Sequence, residues 1–247
     1  MAPRNQRKVI VVADAAALAD AAAERMLARI DANSGRIAIC LTGGSSPKQL
    51  YALLATEAYR NRIPWPRVHW FIGDERFVTA SDPRNNMAMA RDIFLDRLAP
   101  ASQIHPIPTD AADPDESAKR YEQELQSFYG AERLDPARPL FDIVLMGIGP
   151  DGHTASIFPA YPAMAETERW VVGVPKANVE PFVPRVTLTF PALASCHEML
   201  FEAAGSGKRT ILTRVLGGEN LPAAKARSQG ETVLLLDEAA RPENFRD

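Results

Sequence analysis

Cysteine is scarce in this 247-residue chain, and the two present, Cys40 and Cys196, sit in apolar runs without metal-ligand spacing. That excludes a disulfide framework and leaves packing thiols in a reducing compartment, so a cytoplasmic protein is expected. Histidine is almost as rare. Among His69, His105, His153 and His197 no pair is spaced for zinc, and no metal or cofactor is expected. Long apolar runs are missing as well: none approaches the roughly 18 residues that span a bilayer. The basic start Met1–Lys8 leads into only five apolar residues before Asp14, so neither export nor membrane attachment is expected. Finally, the chain lacks an excess of positive charge. Its 28 Lys and Arg against 31 Asp and Glu give a net charge of −3, which argues against nucleic acid held by bulk charge.

What is present is an ordinary globular composition, 46% hydrophobic and 24% charged, that excludes disorder and collagen. Short β-branched runs alternate with helical patterns. Val9–Val12 precedes Asp14–Ile30, Ile37–Leu41 precedes Pro47–Thr56, and Val68–Ile72 precedes Asn85–Leu98. The runs are nearly continuously apolar rather than alternating, as in strands covered by helices on both faces. The fold expected is α/β: a doubly wound three-layer α/β/α sandwich with a mostly parallel central sheet, in one domain over residues 1–247. Further strands are expected at Phe141–Met146, Trp170–Val174, Val186–Phe190, Met199–Ala203 and Val233–Leu236. Asp113-Pro114-Asp115-Glu116 announces a helix to Phe128, and Ser206 is expected to cap one over Gly207–Leu216. The Pro-rich Ala99–Asp113 segment reads as a surface connection.

Three turns carry residues suited to chemistry. Thr42-Gly43-Gly44-Ser45-Ser46-Pro47 lies between a strand and a helix. Its glycines permit close backbone approach and the helix N-terminus offers N–H groups to an anion, although a tight capped turn has the same composition. No Gly-Lys-Ser/Thr follows, so it is not a Walker loop. Gly73-Asp74-Glu75-Arg76 sits at the C-terminal end of a strand, where open α/β sheets bind ligands; the alternative is a surface ion pair. Gly147-Ile148-Gly149-Pro150-Asp151-Gly152-His153 satisfies G-x-G-x-x-G mechanically. Pro159 and Pro162 deny it the long following helix of a dinucleotide site, leaving a glycine-rich loop that presents Asp151 and His153. Histidine suits proton transfer near neutral pH, and it serves as often as a hydrogen-bonded structural residue. No G-x-S-x-G elbow supplies a serine nucleophile. Arg185 precedes a strand, and Lys208 falls in a first helical turn, a position opposed by the helix dipole unless an anion is near.

In this order, together with Leu221-Pro222-Ala223-Ala224 and Leu236-Asp237-Glu238-Ala239-Ala240, these segments resemble the 6-phosphogluconolactonases over nearly the whole chain. Gly-Pro-Asp-Gly-His-Thr-Ala-Ser, residues 149–156, is the most specific. The resemblance implies hydrolysis of a sugar-phosphate lactone without a cofactor. Gly43, Gly44, Ser45, Arg76, Arg185 and Lys208 are then expected to bind the phosphorylated substrate. His153 is expected to act as general base, with Asp151 or Asp74 orienting it, and N–H groups around Gly149–Gly152 to hold the oxyanion. The glucosamine-6-phosphate deaminases share this fold but place a glutamate five residues after the loop histidine, where this chain has Phe158, and Asp-Glu-Tyr where it has Asp74-Glu75-Arg76. Many lactonases carry a lysine where this chain has Glu180. A non-catalytic sugar-phosphate sensor on the same fold usually adds a helix-turn-helix module, for which this chain leaves no room. A monomer or weak homo-oligomer is expected.

Overall fold

A computed structural model of the chain describes residues 7–243 and 245; the basic start at residues 1–6 lies outside them. In chain order the elements are β1 (Lys8–Val12), α1 (Ala15–Ala32), β2 (Ile37–Leu41), α2 (Ser46–Leu54), α3 (Glu57–Arg60), β3 (Val68–Ile72) and β4 (Asp74–Arg76). Next come α4 (Asn86–Ala90), which continues through a π-helical turn into α5 (Asp96–Leu98), then α6 (Pro114–Tyr129), β5 (Phe141–Met146), β6 (Val171–Val174) and β7 (Arg185–Leu188). The chain closes with α7 (Phe190–Ala194), β8 (Cys196–Ala203), α8 (Arg209–Leu216), α9 (Pro222–Lys225) and β9 (Glu231–Asp237). No helix among the described residues is long and apolar enough to cross a membrane.

Six strands form a parallel sheet in the order β1-β9-β8-β5-β2-β3, the centre of an α/β sandwich. Every residue of β2 and β5 is buried, which explains why β2 reads as an unbroken apolar run and β5 as one interrupted only by Asp142. α1 starts where the Asp14 carboxylate accepts the Ala17 N–H, and its Leu18, Ala22, Met26 and Ile30 recur at four-residue spacing as one buried stripe. On β8, the buried Glu198 carboxylate reaches back to this helix. It accepts from Arg25 Nε and, at 2.7 Å, from Arg29 Nε. α6 is set by the Asp113 cap, by Pro114 in its first turn and by Gly130 at φ 78° after its end.

Two expected strands leave this sheet. β7 and β6 join β4 in a separate antiparallel sheet, β4-β7-β6, because the chain turns out of the parallel layer at Gly73. The Gly73 N–H donates to Leu41 O at 3.0 Å in the large sheet, and its carbonyl accepts from Leu188 N at 2.8 Å in the small one. One peptide thus stitches the two sheets together. β7 ends at Leu188, two residues short of the expected Phe190, since Pro191 places Phe190 at the start of α7.

Two local expectations are corrected. Ser206 caps no helix with its side chain: it opens a 3₁₀ turn, Ser206–Lys208, before α8, and Gly205 at φ 88° makes the entry. The Asp237 carboxylate accepts the Gly205 N–H at 2.9 Å in its place. The Ala99–Asp113 connection is partly built into the fold. Ile104 bridges Trp70 beside β3, and Ile104 and Ile107 are buried, because the sheet edge takes up the extended backbone.

Candidate active site

The ends of β2, β4, β5, β7 and β8 surround one cavity. It is lined by Gly43, Gly44, Ser45, Asp74, Arg76, His153, Arg185 and Lys208, so the structure brings together all the residues singled out from sequence except Asp151, which stands behind His153. The cavity lies outside the carboxyl ends of the parallel strands, where this architecture leaves room for a ligand.

The His153 loop is held from several sides. Gly152 takes φ 87°, and its carbonyl accepts from Ala223 N at 3.0 Å, so the Leu221–Ala224 segment acts as a buttress. Thr154 Oγ1 donates to Gly147 O at 2.8 Å, tying the loop back to the end of β5. The imidazole rests on Gly149, where an added Cβ would lie 2.0 Å from Cε1, with the Phe158 ring centroid 4.9 Å away. Of the two acids considered for orienting His153, Asp151 makes the contact: its Oδ1 lies 2.6 Å from Nδ1 and also accepts the His153 N–H. Burial works to raise the Asp151 carboxyl, but the hydrogen bond and charge of His153 outweigh it and hold the group below its ordinary value. An ionised carboxylate can only accept, so Nδ1 carries a proton, and in the neutral ring this tautomer leaves the lone pair on Nε2.

Asp74 is engaged elsewhere: its Oδ2 accepts from Ser156 Oγ at 2.6 Å. Next to it Glu75 is fully buried and binds backbone rather than ligand, accepting from the N–H groups of Arg76, Asn86 and Met87. Burial pushes its carboxyl up to about 7, the three N–H groups notwithstanding. Asn86 is a lining residue that its sequence context, Asp82-Pro83-Arg84-Asn85-Asn86, does not distinguish from a plain turn and helix cap. Its carboxamide donates to Asp74 O at 3.0 Å and fills the space beside Gly43, where an added Cβ would meet Asn86 Oδ1 at 2.0 Å.

The expected oxyanion donors are corrected. Gly149 N–H donates to His153 O at 2.8 Å and Gly152 N–H to Gly149 O at 3.0 Å, so the turn consumes both internally. No protein acceptor among the described residues meets the N–H groups of Gly44 and Ser45 at the start of α2.

Positive charge converges on the same space. Arg76 and Arg185 are directly opposed partners across β4 and β7, an arrangement of like charges that costs stability unless an anion joins them. Arg185 is only 3% exposed, and its guanidinium is lowered by burial and by Arg76, while Asp74 pulls the other way. It donates to Pro181 O at 2.7 Å, and Arg76 donates to Arg84 O at 2.8 Å. Lys208 donates to Ile148 O, and burial lowers its ammonium. Carbonyl groups orient these cations without neutralising them, and none of the three forms a salt bridge among the described residues. Glu180, where many lactonases carry lysine, lines the cavity, as does Glu202, which sequence reading had passed over as part of a strand.

Fold and site together define an α/β protein with a cavity where three cations and a histidine converge. The family described as glucosamine-6-phosphate isomerases/6-phosphogluconolactonase matches residues 13–235, and the chain belongs to that family. It is 40% identical to a 6-phosphogluconolactonase of Synechocystis sp., over 87% of each chain. A 6-phosphogluconolactonase of Nostoc sp. is 38% identical over 96% of this chain and 98% of that relative. The crystal structure of 6-phosphogluconolactonase from Leishmania guyanensis superposes with a TM-score of 0.85 at 30% identity, covering 98% of this chain and 100% of the other.

Proposed function

We propose that this chain hydrolyses 6-phospho-D-glucono-1,5-lactone to 6-phosphogluconate, the lactone-opening step of the oxidative pentose phosphate pathway. The observation that carries the reading is the meeting of three cations that form no salt bridge among the described residues, Arg76, Arg185 and Lys208, with His153 in one cavity, the imidazole backed by Asp151. The cations and the Gly43–Ser45 turn hold the 6-phosphate, and anchoring there brings the lactone carbonyl to His153. Nε2 removes a proton from a water attacking C1, and the imidazolium returns it to the ring oxygen as the C–O bond breaks. Asp151 fixes the tautomer and steadies the imidazolium, as a carboxylate does for a catalytic histidine.

Nothing in the pocket favours amino-sugar isomerisation. Phe158 occupies the position of the deaminase glutamate and is buried against the imidazole, so no carboxyl group is supplied there. The test is acid release from freshly prepared lactone, corrected for spontaneous opening, beside ammonia release from glucosamine 6-phosphate. Acceleration of the first alone is expected. Wild-type rates from His153→Ala would remove the histidine from the mechanism, and ammonia release would replace the reading with deamination.

A further inference from the structure

Glu202 has no role in the mechanism above, yet it is an acid in the interior of a parallel sheet. It is 1% exposed, and neither carboxyl oxygen meets a hydrogen-bond donor among the described residues. Side chains alternate along a strand, so Glu202 shares a face with Glu198, whose partners lie on α1. The same face carries α2, which packs against β8. Tyr51 of α2 is near enough to feel the Glu202 charge, and its hydroxyl is bonded to both the N–H and the carbonyl of Thr42. Glu202 therefore lies on the side of the sheet that carries α2, and it lines the same cavity as the turn that opens that helix.

We propose that Glu202 is a specificity-determining residue: its neutral carboxyl group donates a hydrogen bond to the phosphate seated in the Gly43–Ser45 turn. This rests on the phosphate-binding reading of the site. An ionised carboxylate on the cavity wall would repel the phosphate, whereas the acid form supplies the donor that an anion needs. The low-polarity setting keeps the proton on, because burial raises the carboxyl to about 8. The other charged groups on the cavity wall are Asp74, Arg76, His153, Glu180, Arg185 and Lys208. Lys208 loses charge in the same direction as Glu202 gains it when pH rises, so the two must be separated by substitution.

Affinity for 6-phosphogluconate, the stable product, is measured by calorimetry between pH 7 and pH 9, with inorganic phosphate as a second probe. If only the protonated acid binds, wild-type affinity falls about tenfold over that range from Glu202 alone. Glu202→Gln keeps a donor and cannot ionise. Its affinity at pH 7 stays within about threefold of wild type, and its fall to pH 9 is smaller by that tenfold factor for both probes. Glu202→Leu, which lacks the donor, binds both probes more weakly at pH 7. Parallel pH curves for wild type and Glu202→Gln would overturn the proposal. So would a Gln variant that binds more than tenfold tighter at pH 7, which would mean an ionised carboxylate, or a pH effect absent with inorganic phosphate, which would put the donor at the other end of the sugar. Failure of the lactonase reading looks different: wild type binds the product but leaves fresh lactone at its spontaneous rate.

Discussion

Replacing Gly149 by alanine tests the His153 geometry without touching a polar group. The backbone at Gly149 lies outside the left-handed region, so alanine fits its conformation. The methyl group, however, would lie 2.0 Å from His153 Cε1 and 2.1 Å from Nδ1. Ordinary contact needs about 3.5 Å, so the ring must retreat by about 1.5 Å. The 2.6 Å bond from Asp151 to Nδ1 does not survive that displacement. A shift of about 1 Å in a catalytic group costs on the order of 100-fold, and kcat should drop by about that factor. The ring is the free end of a side chain and can swing aside, so Tm should move by no more than about 3 °C, and product affinity should hold because the phosphate contacts are untouched. The assay is acid release from fresh lactone, in wild type, Gly149→Ala, His153→Ala and the double variant. Once His153 is gone the methyl group has nothing to displace, so the double variant should equal His153→Ala. Full activity in Gly149→Ala, or an equal loss from it in both backgrounds, would refute the reasoning.

Lys208→Ala should raise KM by roughly 30-fold with kcat within about threefold, the signature of lost uniform binding worth about 2 kcal/mol; steady-state kinetics check it. Glu198→Ala leaves Arg25 and Arg29 without their shared buried carboxylate and should cost about 3 kcal/mol, since both arginines reach solvent; urea unfolding measures it, and kcat should be unchanged. The raised Glu202 carboxyl makes native protein bind more protons than unfolded chain between its ordinary value of 4.5 and about 8. Wild-type stability should therefore fall with rising pH across that window, by on the order of 1 kcal/mol per pH unit from this group, and level off above it. Unfolding curves from pH 5 to pH 9 should show Glu202→Gln gaining on wild type over that range and no further.

Much of the fold was legible because burial leaves a plain mark. Ile37–Leu41, Val68–Ile72 and Phe141–Met146 were read to the residue, since strands covered on both faces are almost wholly apolar, His69 and Asp142 being the exceptions, and stop at glycine or a polar turn. The second sheet was not legible. An apolar run looks the same whichever neighbour it pairs with, and the choice for β6 and β7 is made at distant Gly73. Within the site, residue types pointed to anion binding and a titratable histidine, but not to which acid meets the ring. Nor did composition reveal that the glycine turn spends its N–H groups on itself, which depends on Gly152 turning left-handed. Glu202 did leave a signal: a lone acid within Met199–Ala203 is anomalous in a strand buried on both sides.

The two sheets also act as a gauge. Arg76 and Arg185 ride on the small sheet, whereas His153 hangs from the end of β5 in the large one. Their separation is set by the Gly73 peptide and by the Ser156–Asp74 bond that crosses from one platform to the other. On the proposed function, a ligand is thus measured by the span between its anionic end and its reactive carbon. Compounds with the right groups at the wrong separation should then be turned away by length alone, before any difference in reactivity matters.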